Sequence, residues 1–196
     1  MWIHAVSVGE VLSAREFIRL ARAARPEMDI VLSTVTPTGN AVARQHFPDV
    51  QVIYFPIDFA GAVRRTLARI RPDIIVLVEL EIWPGFINAC RKRGIPVTIV
   101  NGRMTEASYD AYRWRFMRWL IGPELTNLEA ASAQNTVYAD RLMELGTPRN
   151  IVTVTGNMKF DLMPVPERLP KIDELAKRLS IKPGQFVFVA GSIHPK

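Results

Sequence analysis

WIHAVSVGE, Trp2 to Glu10, is the stretch on which the fold turns. It reads as a buried strand that stops at Gly9 and delivers Glu10 to the start of a helix. In an open α/β sheet, ligands bind just beyond the carboxyl ends of the strands. A carboxylate delivered there is a candidate general base. A second reading stands beside it. Ser7 and Glu10 have the S-x-x-E spacing of a capping box, in which the glutamate satisfies a backbone N–H at the helix start.

Outward from this stretch the pattern repeats. Val11–Arg25 carries a helical stripe that Pro26 closes. Asp29–Thr34 is a second strand. Thr36 and Pro37 then have the chemistry of an N-cap and a first helical position. Val50–Phe55 is a third strand, and Asp58 caps a basic helix reaching Arg71. Asp73–Val78 (DIIVLV) is apolar on both faces, as a parallel strand covered by helices requires. A helix Pro84–Arg93, a strand Ile95–Val100 and one long helix Thr105–Ile121 follow. Glu129–Ala133 and Ile151–Thr155 are two further strands, with a helix Val137–Leu145 between them. Such alternation means an α/β protein, a Rossmann-like parallel sheet with helices on both faces. Met163–Pro170 holds three prolines and reads as a linker. The expected domains are therefore 1–162, a linker 163–170, and the truncated start of a second Rossmann-like domain at 171–196. The last would hold a helix Ile172–Leu179 and a strand Phe186–Ala190 running into Gly191.

Composition narrows the function classes. A single cysteine, Cys90, excludes an internal disulfide and a cysteine metal cluster. The formal charge is +6 and the pI about 9.8, which favours an anionic partner without choosing among them. A nucleic-acid partner is not expected, because no recognition motif accompanies the charge. No apolar run approaches the ~20 residues that span a bilayer, so a soluble or peripheral chain is expected.

The polar residues behind the strands share one edge of a parallel sheet. They are Glu10; Thr36, Thr38 and Gly39; Glu79 and Glu81; Asn101 and Arg103; Gln134 and Asn135; and Gly156, Asn157 and Lys159. Several can be helix caps. The gathering of Arg103, Lys159 and two glutamates suits an anionic substrate. Thr36–Gly39 is either a phosphate cradle or an ordinary helix start. Glu79 and Glu81 either hold sugar hydroxyls or pair with Arg103. No Asp-x-Asp metal pair is present, so a metal-dependent sugar-nucleotide site is not expected. In the helix from Thr105, Tyr109, Tyr112, Trp114, Phe116 and Trp119 interleave with Arg113, Arg115 and Arg118. These either split into a core face and a solvated face, or form an interfacial patch for anionic lipid.

WIHAVSVGE, TPTG, ELEIWP, NGRMTEASY, Gln134 in ASAQN, GNMKFD and AGSIHP occur in the order of the motifs of the 3-deoxy-D-manno-octulosonic acid (Kdo) transferases of lipid A and lipopolysaccharide biosynthesis, which the chain resembles. The resemblance implies the N-terminal, acceptor half of a GT-B glycosyltransferase, working at the cytoplasmic face of the bacterial inner membrane. Its donor would be CMP-Kdo and its acceptor a lipid A precursor, with no cofactor. It further implies that Glu10 is the general base. Thr36, Thr38, Gly39, Glu79, Glu81 and Arg103 would line the acceptor side. Asn157 and Lys159 would stand at the cleft, and Gly191, Ser192 and His194 would begin the donor side. The chain departs from the family in lacking its N-terminal anchor and most of its donor domain, so this fragment is expected to be inactive alone. Gly102 stands where the family has alanine, and Gly85 where it has asparagine. The alternative is a non-catalytic α/β module that grips an anionic lipid or nucleotide.

Overall fold

The computed structural model describes residues 1–162, 171–182 and 184–190. Two compact units divide the chain, Met1–Leu162 and Met163–Lys196. In the first, β1 (Trp2–His4), β2 (Val31–Thr34), β3 (Gln51–Tyr54), β4 (Ile75–Val78), β5 (Val97–Gly102), β6 (Ala130–Ala133) and β7 (Val152–Val154) form one sheet. Its order is β3-β2-β1-β4-β5-β6-β7, and every neighbouring pair is parallel. β1, β2 and β4 are buried at every residue, which is why their sequences are apolar on both faces.

The intervening helices are α1 (Val8–Ser13), α2 (Arg15–Ala24), α3 (Pro37–His46), α4 (Ala60–Ile70), α5 (Pro84–Arg91), α6 (Glu106–Arg113), α7 (Arg115–Thr126) and α8 (Thr136–Leu145). Adjacent strand residues feed opposite faces. Trp2, Ile75 and Leu77 join one core with Phe86, Ile121 and Leu142. Ile3, Val76 and Val78 join the other with Ile18, Leu32 and Ala43. Cys90 is core filler in the first of these, its thiol pushed up to about 12 by burial. From β1 the chain winds outward to β3, then crosses back to place β4 on the other side of β1. The winding therefore reverses between β1 and β4, and a sheet of this kind opens a crevice at the carboxyl end of that gap.

Several elements differ from the sequence expectation. β1 stops at His4 and Ser7 caps α1, so Gly9 and Glu10 lie in the first helical turn rather than at a strand end. The helix expected over Val11–Arg25 is two helices divided at Ala14. Beside the division, Ser13 Oγ donates to the Glu10 carbonyl at 2.8 Å, a back-bond of the kind that bends helices. Asp58 does not cap α4, whose N-cap is Phe59; it accepts instead from Gly85 N at 2.9 Å and so caps α5. A Cβ on Gly85 would sit 2.6 Å from that carboxylate, so glycine is what admits the cross-helix cap. The long helix expected over Thr105–Ile121 breaks at Trp114, which is extended (φ −60°, ψ 136°). Tyr109 and Tyr112 pack on the core whereas Trp114 and Phe116 face solvent, and no single helical stripe serves both sets.

In the second unit α9 (Ile172–Arg178) forms. Phe186–Ala190, expected as a strand, is not one: Phe186 and Phe188 are 89% and 80% exposed. A lone extended segment leaves its N–H and C=O groups unpaired, and among the described residues no strand joins it. The linker Met163–Pro170 lies outside the described residues, as do Gly191, Ser192 and His194.

Candidate active site

Glu10 follows β1, at the reversal of the sheet. Its Oε2 accepts from Val6 N and its Oε1 from Ser7 Oγ, both at 2.8 Å. Ser7 Oγ in turn faces Glu10 N at 3.5 Å. This is a capping-box arrangement, and Glu10 as a whole residue is 8% exposed. Burial raises its pKa, opposed by the Val6 N–H and the Ser7 hydroxyl, while the charge of Glu79 raises it further. Glu10 is thus both a cap and a carboxyl whose proton affinity is enhanced.

The Thr36–Gly39 turn abuts the same loop. Val35 N and Thr36 N each donate to the Val6 carbonyl at 3.3 Å, as does Thr36 Oγ1. Thr36 Oγ1 also caps α3 by accepting from Gly39 N at 3.0 Å. Gly39 is buried there, and a Cβ would lie 2.7 Å from Thr36 Oγ1 and 3.1 Å from the Val6 carbonyl oxygen. Close approach of α3 to the β1 loop therefore accounts for Gly39, and one N–H of the expected cradle is spent on the cap. Thr38 is exposed at the turn.

Behind β4 and β5 a cavity of about 240 Å³ brings together Glu79, Glu81, Arg103, Thr105, Ser108 and Tyr112. Glu81 Oε2 accepts from Trp83 Nε1 at 3.0 Å. Its pKa is pushed up to about 7 by burial and by the charge of Glu10, against the Trp83 bond, with Glu79 adding to the rise. Glu79 has a left-handed backbone (φ 63°), an uncommon state for a non-glycine residue that recurs at functional sites. Its carboxylate pairs with Lys159 Nζ at 3.2 Å. The pairing left open for Arg103 is thus taken by Lys159, and Arg103 makes no hydrogen bond or ion pair among the described residues. Asn157 caps the turn that carries the lysine, its Oδ1 accepting from Lys159 N at 3.0 Å.

Among the described residues, three carboxylates, a paired lysine and an arginine with no hydrogen-bond or ion-pair partner therefore gather at the carboxyl edge around β1, β4 and β5. A larger hollow of about 820 Å³, lined by Arg22, Asp29, Asp49 and Arg69 among others, lies at the amino ends of β2 and β3, away from this chemistry. His4 is a core residue, with Nδ1 2.9 Å from Ser33 Oγ and its ring stacked on Phe55. Burial pushes it down to about 4, so it is neutral at physiological pH. The sequence reading missed Thr105, Ser108 and Tyr112 as cavity walls. Their i, i+3 and i+7 spacing was the available signal, since it places all three on one helix face.

The family model described as 3-deoxy-D-manno-octulosonic-acid transferase (kdotransferase) matches residues 1–162. The chain is 32% identical over 195 residues to the 3-deoxy-D-manno-octulosonic acid transferase of Haemophilus influenzae, covering 99% of the chain and 45% of that protein. It is 33% identical over 170 residues to the transferase of the same name from Bordetella pertussis, covering 83% of the chain and 38% of that protein. The chain therefore spans less than half the length of these curated relatives. Among solved structures, the complex of Anabaena Alr3699/HepE with UDP aligns with a TM-score of 0.63 at 12% identity, covering 91% of this chain and 49% of that one. UDP-GlcNAc 2-epimerase from Neisseria meningitidis bound to UDP-GlcNAc gives 0.56 at 14%, covering 92% and 53%. At such identities the likeness is one of fold, a Rossmann-like half of a GT-B architecture.

Proposed function

The chain belongs to the 3-deoxy-D-manno-octulosonic-acid transferase family, and from that premise we propose that it forms the acceptor side of an enzyme that moves Kdo from CMP-Kdo to a lipid A precursor. Glu10 is the general base. It takes the acceptor's hydroxyl proton as that oxygen attacks the anomeric carbon of Kdo, and CMP leaves with the bonding electron pair. The observation that carries this reading is the position of Glu10. It stands at the reversal point between β1 and β4, with its proton affinity raised by burial and by Glu79. Glu79, Glu81 and Arg103 hold the acceptor beside it, the carboxylates on hydroxyls and the arginine on an anionic group. The Thr36–Gly39 turn walls the other side, and Asn157 and Lys159 stand at the cleft.

The capping box favours a second reading, in which Glu10 only organises α1 and the chain binds without chemistry. One substitution separates the two. In Glu10→Gln the amide oxygen still accepts from Val6 N, so the cap survives, but the side chain takes no proton. As a base, Glu10 supplies about 10²–10⁴-fold in rate, and turnover of the whole protein should fall by that order with an unchanged melting curve. Near-wild-type turnover would return Glu10 to the backbone.

A membrane surface is part of the same proposal. No helix of the described residues is long and apolar enough to cross a membrane. Trp114, Phe116 and Trp119 are 65%, 57% and 73% exposed and contact one another in sequence. Arg113, Arg115 and Arg118 interleave with them in sequence and are exposed. Aromatic rings beside cations suit an anionic bilayer interface. The preceding α6 supplies cavity wall, so a lipid's headgroup could enter the cavity while its chains stay in the bilayer.

A further inference from the structure

We propose that Asn101 is a positioning residue of this site, fixing Lys159 against Glu79 by holding the turn Met158–Leu162. The inference rests on the carboxylate cluster being the active site. β5 is irregular where it ends: its register on β6 shifts between Ile99 and Gly102. Bulges next to active sites re-aim side chains. Here the backbone of Asn101 is left-handed (φ 57°), a state asparagine tolerates better than most residues. Gly102 presses the bulge onto β6, since a Cβ there would lie 2.9 Å from the Ser132 carbonyl oxygen.

The result is a fully buried asparagine with long-range partners. Asn101 N donates to Ser132 Oγ and its carbonyl accepts from Gln134 Nε2, both at 3.1 Å. Its Oδ1 accepts from Met158 N at 3.0 Å, across 57 positions of sequence. Its Nδ2 is buried with no partner among the described residues, an arrangement that costs free energy. The side chain is therefore held there by its acceptor, not its donor. That acceptor pins the start of the turn in which Lys159 N is bonded by Asn157 and Lys159 Nζ reaches Glu79. Without Oδ1, Lys159 loses its fixed origin, and Glu79 is left unpaired beside Glu10 and Glu81.

Two substitutions keep the left-handed backbone accessible and differ in the acceptor. Asn101→Gly removes it, and Asn101→Asp retains it. The readout is the rate at which Lys159 is acetylated by an N-hydroxysuccinimide ester, followed by mass spectrometry, with amide exchange at Met158. Asn101→Gly should raise both by about fivefold or more, while Asn101→Asp stays within about twofold of wild type. Met158→Pro removes the donor instead, and should reproduce the rise in Lys159 labelling if Asn101→Gly does not fold. In the whole protein, Asn101→Gly and Lys159→Met should be non-additive in turnover, because one acts through the other. Unchanged Lys159 labelling in a folded Asn101→Gly or Met158→Pro, unchanged exchange at Met158 in a folded Asn101→Gly, or additive losses, would overturn the proposal. The labelling needs no turnover, so its failure is separable from a failure of the Glu10 reading.

Discussion

Glu81 and His4 titrate with opposite consequences for stability. Glu81 keeps its proton to about pH 7 when folded, against 4.5 for the free group. Between those values the folded chain binds more protons than the unfolded one, so this residue's contribution falls as pH rises. His4 is lowered from 6.5 to about 4. Across that window the unfolded chain binds more protons, and the contribution rises with pH. Glu81→Gln removes only the first effect. Relative to wild type, the variant should gain roughly 1–2 kcal/mol between pH 5 and pH 8, one pKa unit being worth about 1.4 kcal/mol before solvent screening. Urea melts at the two pH values measure it, and a difference independent of pH would mean that Glu81 titrates normally. Sequence could place Glu79 and Glu81 behind a strand, but not their partners. Lys159 lies 80 positions from Glu79, and only the folded sheet brings the two together.

Element boundaries were legible where local chemistry sets them. Thr36 and Pro37 start α3 as read, because the threonine hydroxyl caps Gly39 within three residues. The break at Trp114 was not legible, since it depends on which aromatic rings the core admits. It matters for function because it frees α7 to present Trp114, Phe116 and Trp119 outward. Replacing the three by alanine should reduce sedimentation with phosphatidylglycerol vesicles by about tenfold or more and leave the melt nearly unchanged, each ring being worth on the order of 1 kcal/mol or more at an interface. Equal sedimentation of variant and wild type would remove the membrane from the account. The exposure of Phe186–Ala190 was hidden for a related reason: an apolar run reads as a strand whether or not a neighbour exists to pair with it.

At the scale of the whole molecule, alternation and two-faced apolar runs such as Asp73–Val78 made the parallel sheet readable. The strand order was not, and the order decides where the crevice opens. Glu10 and Glu79 became neighbours only once β4 lay beside β1. The central claim is that the acceptor binds at this reversal point, on the carboxyl edge of the sheet. Amide chemical-shift mapping of the 196-residue chain with a de-acylated lipid A precursor tests it most directly. The account predicts perturbations confined to Glu10, Thr38, Glu79, Glu81, Arg103 and the α6 wall from Thr105 to Tyr112. Perturbations at Arg22, Asp49 and Arg69 on the opposite edge, with none at Glu10 or Arg103, would contradict it.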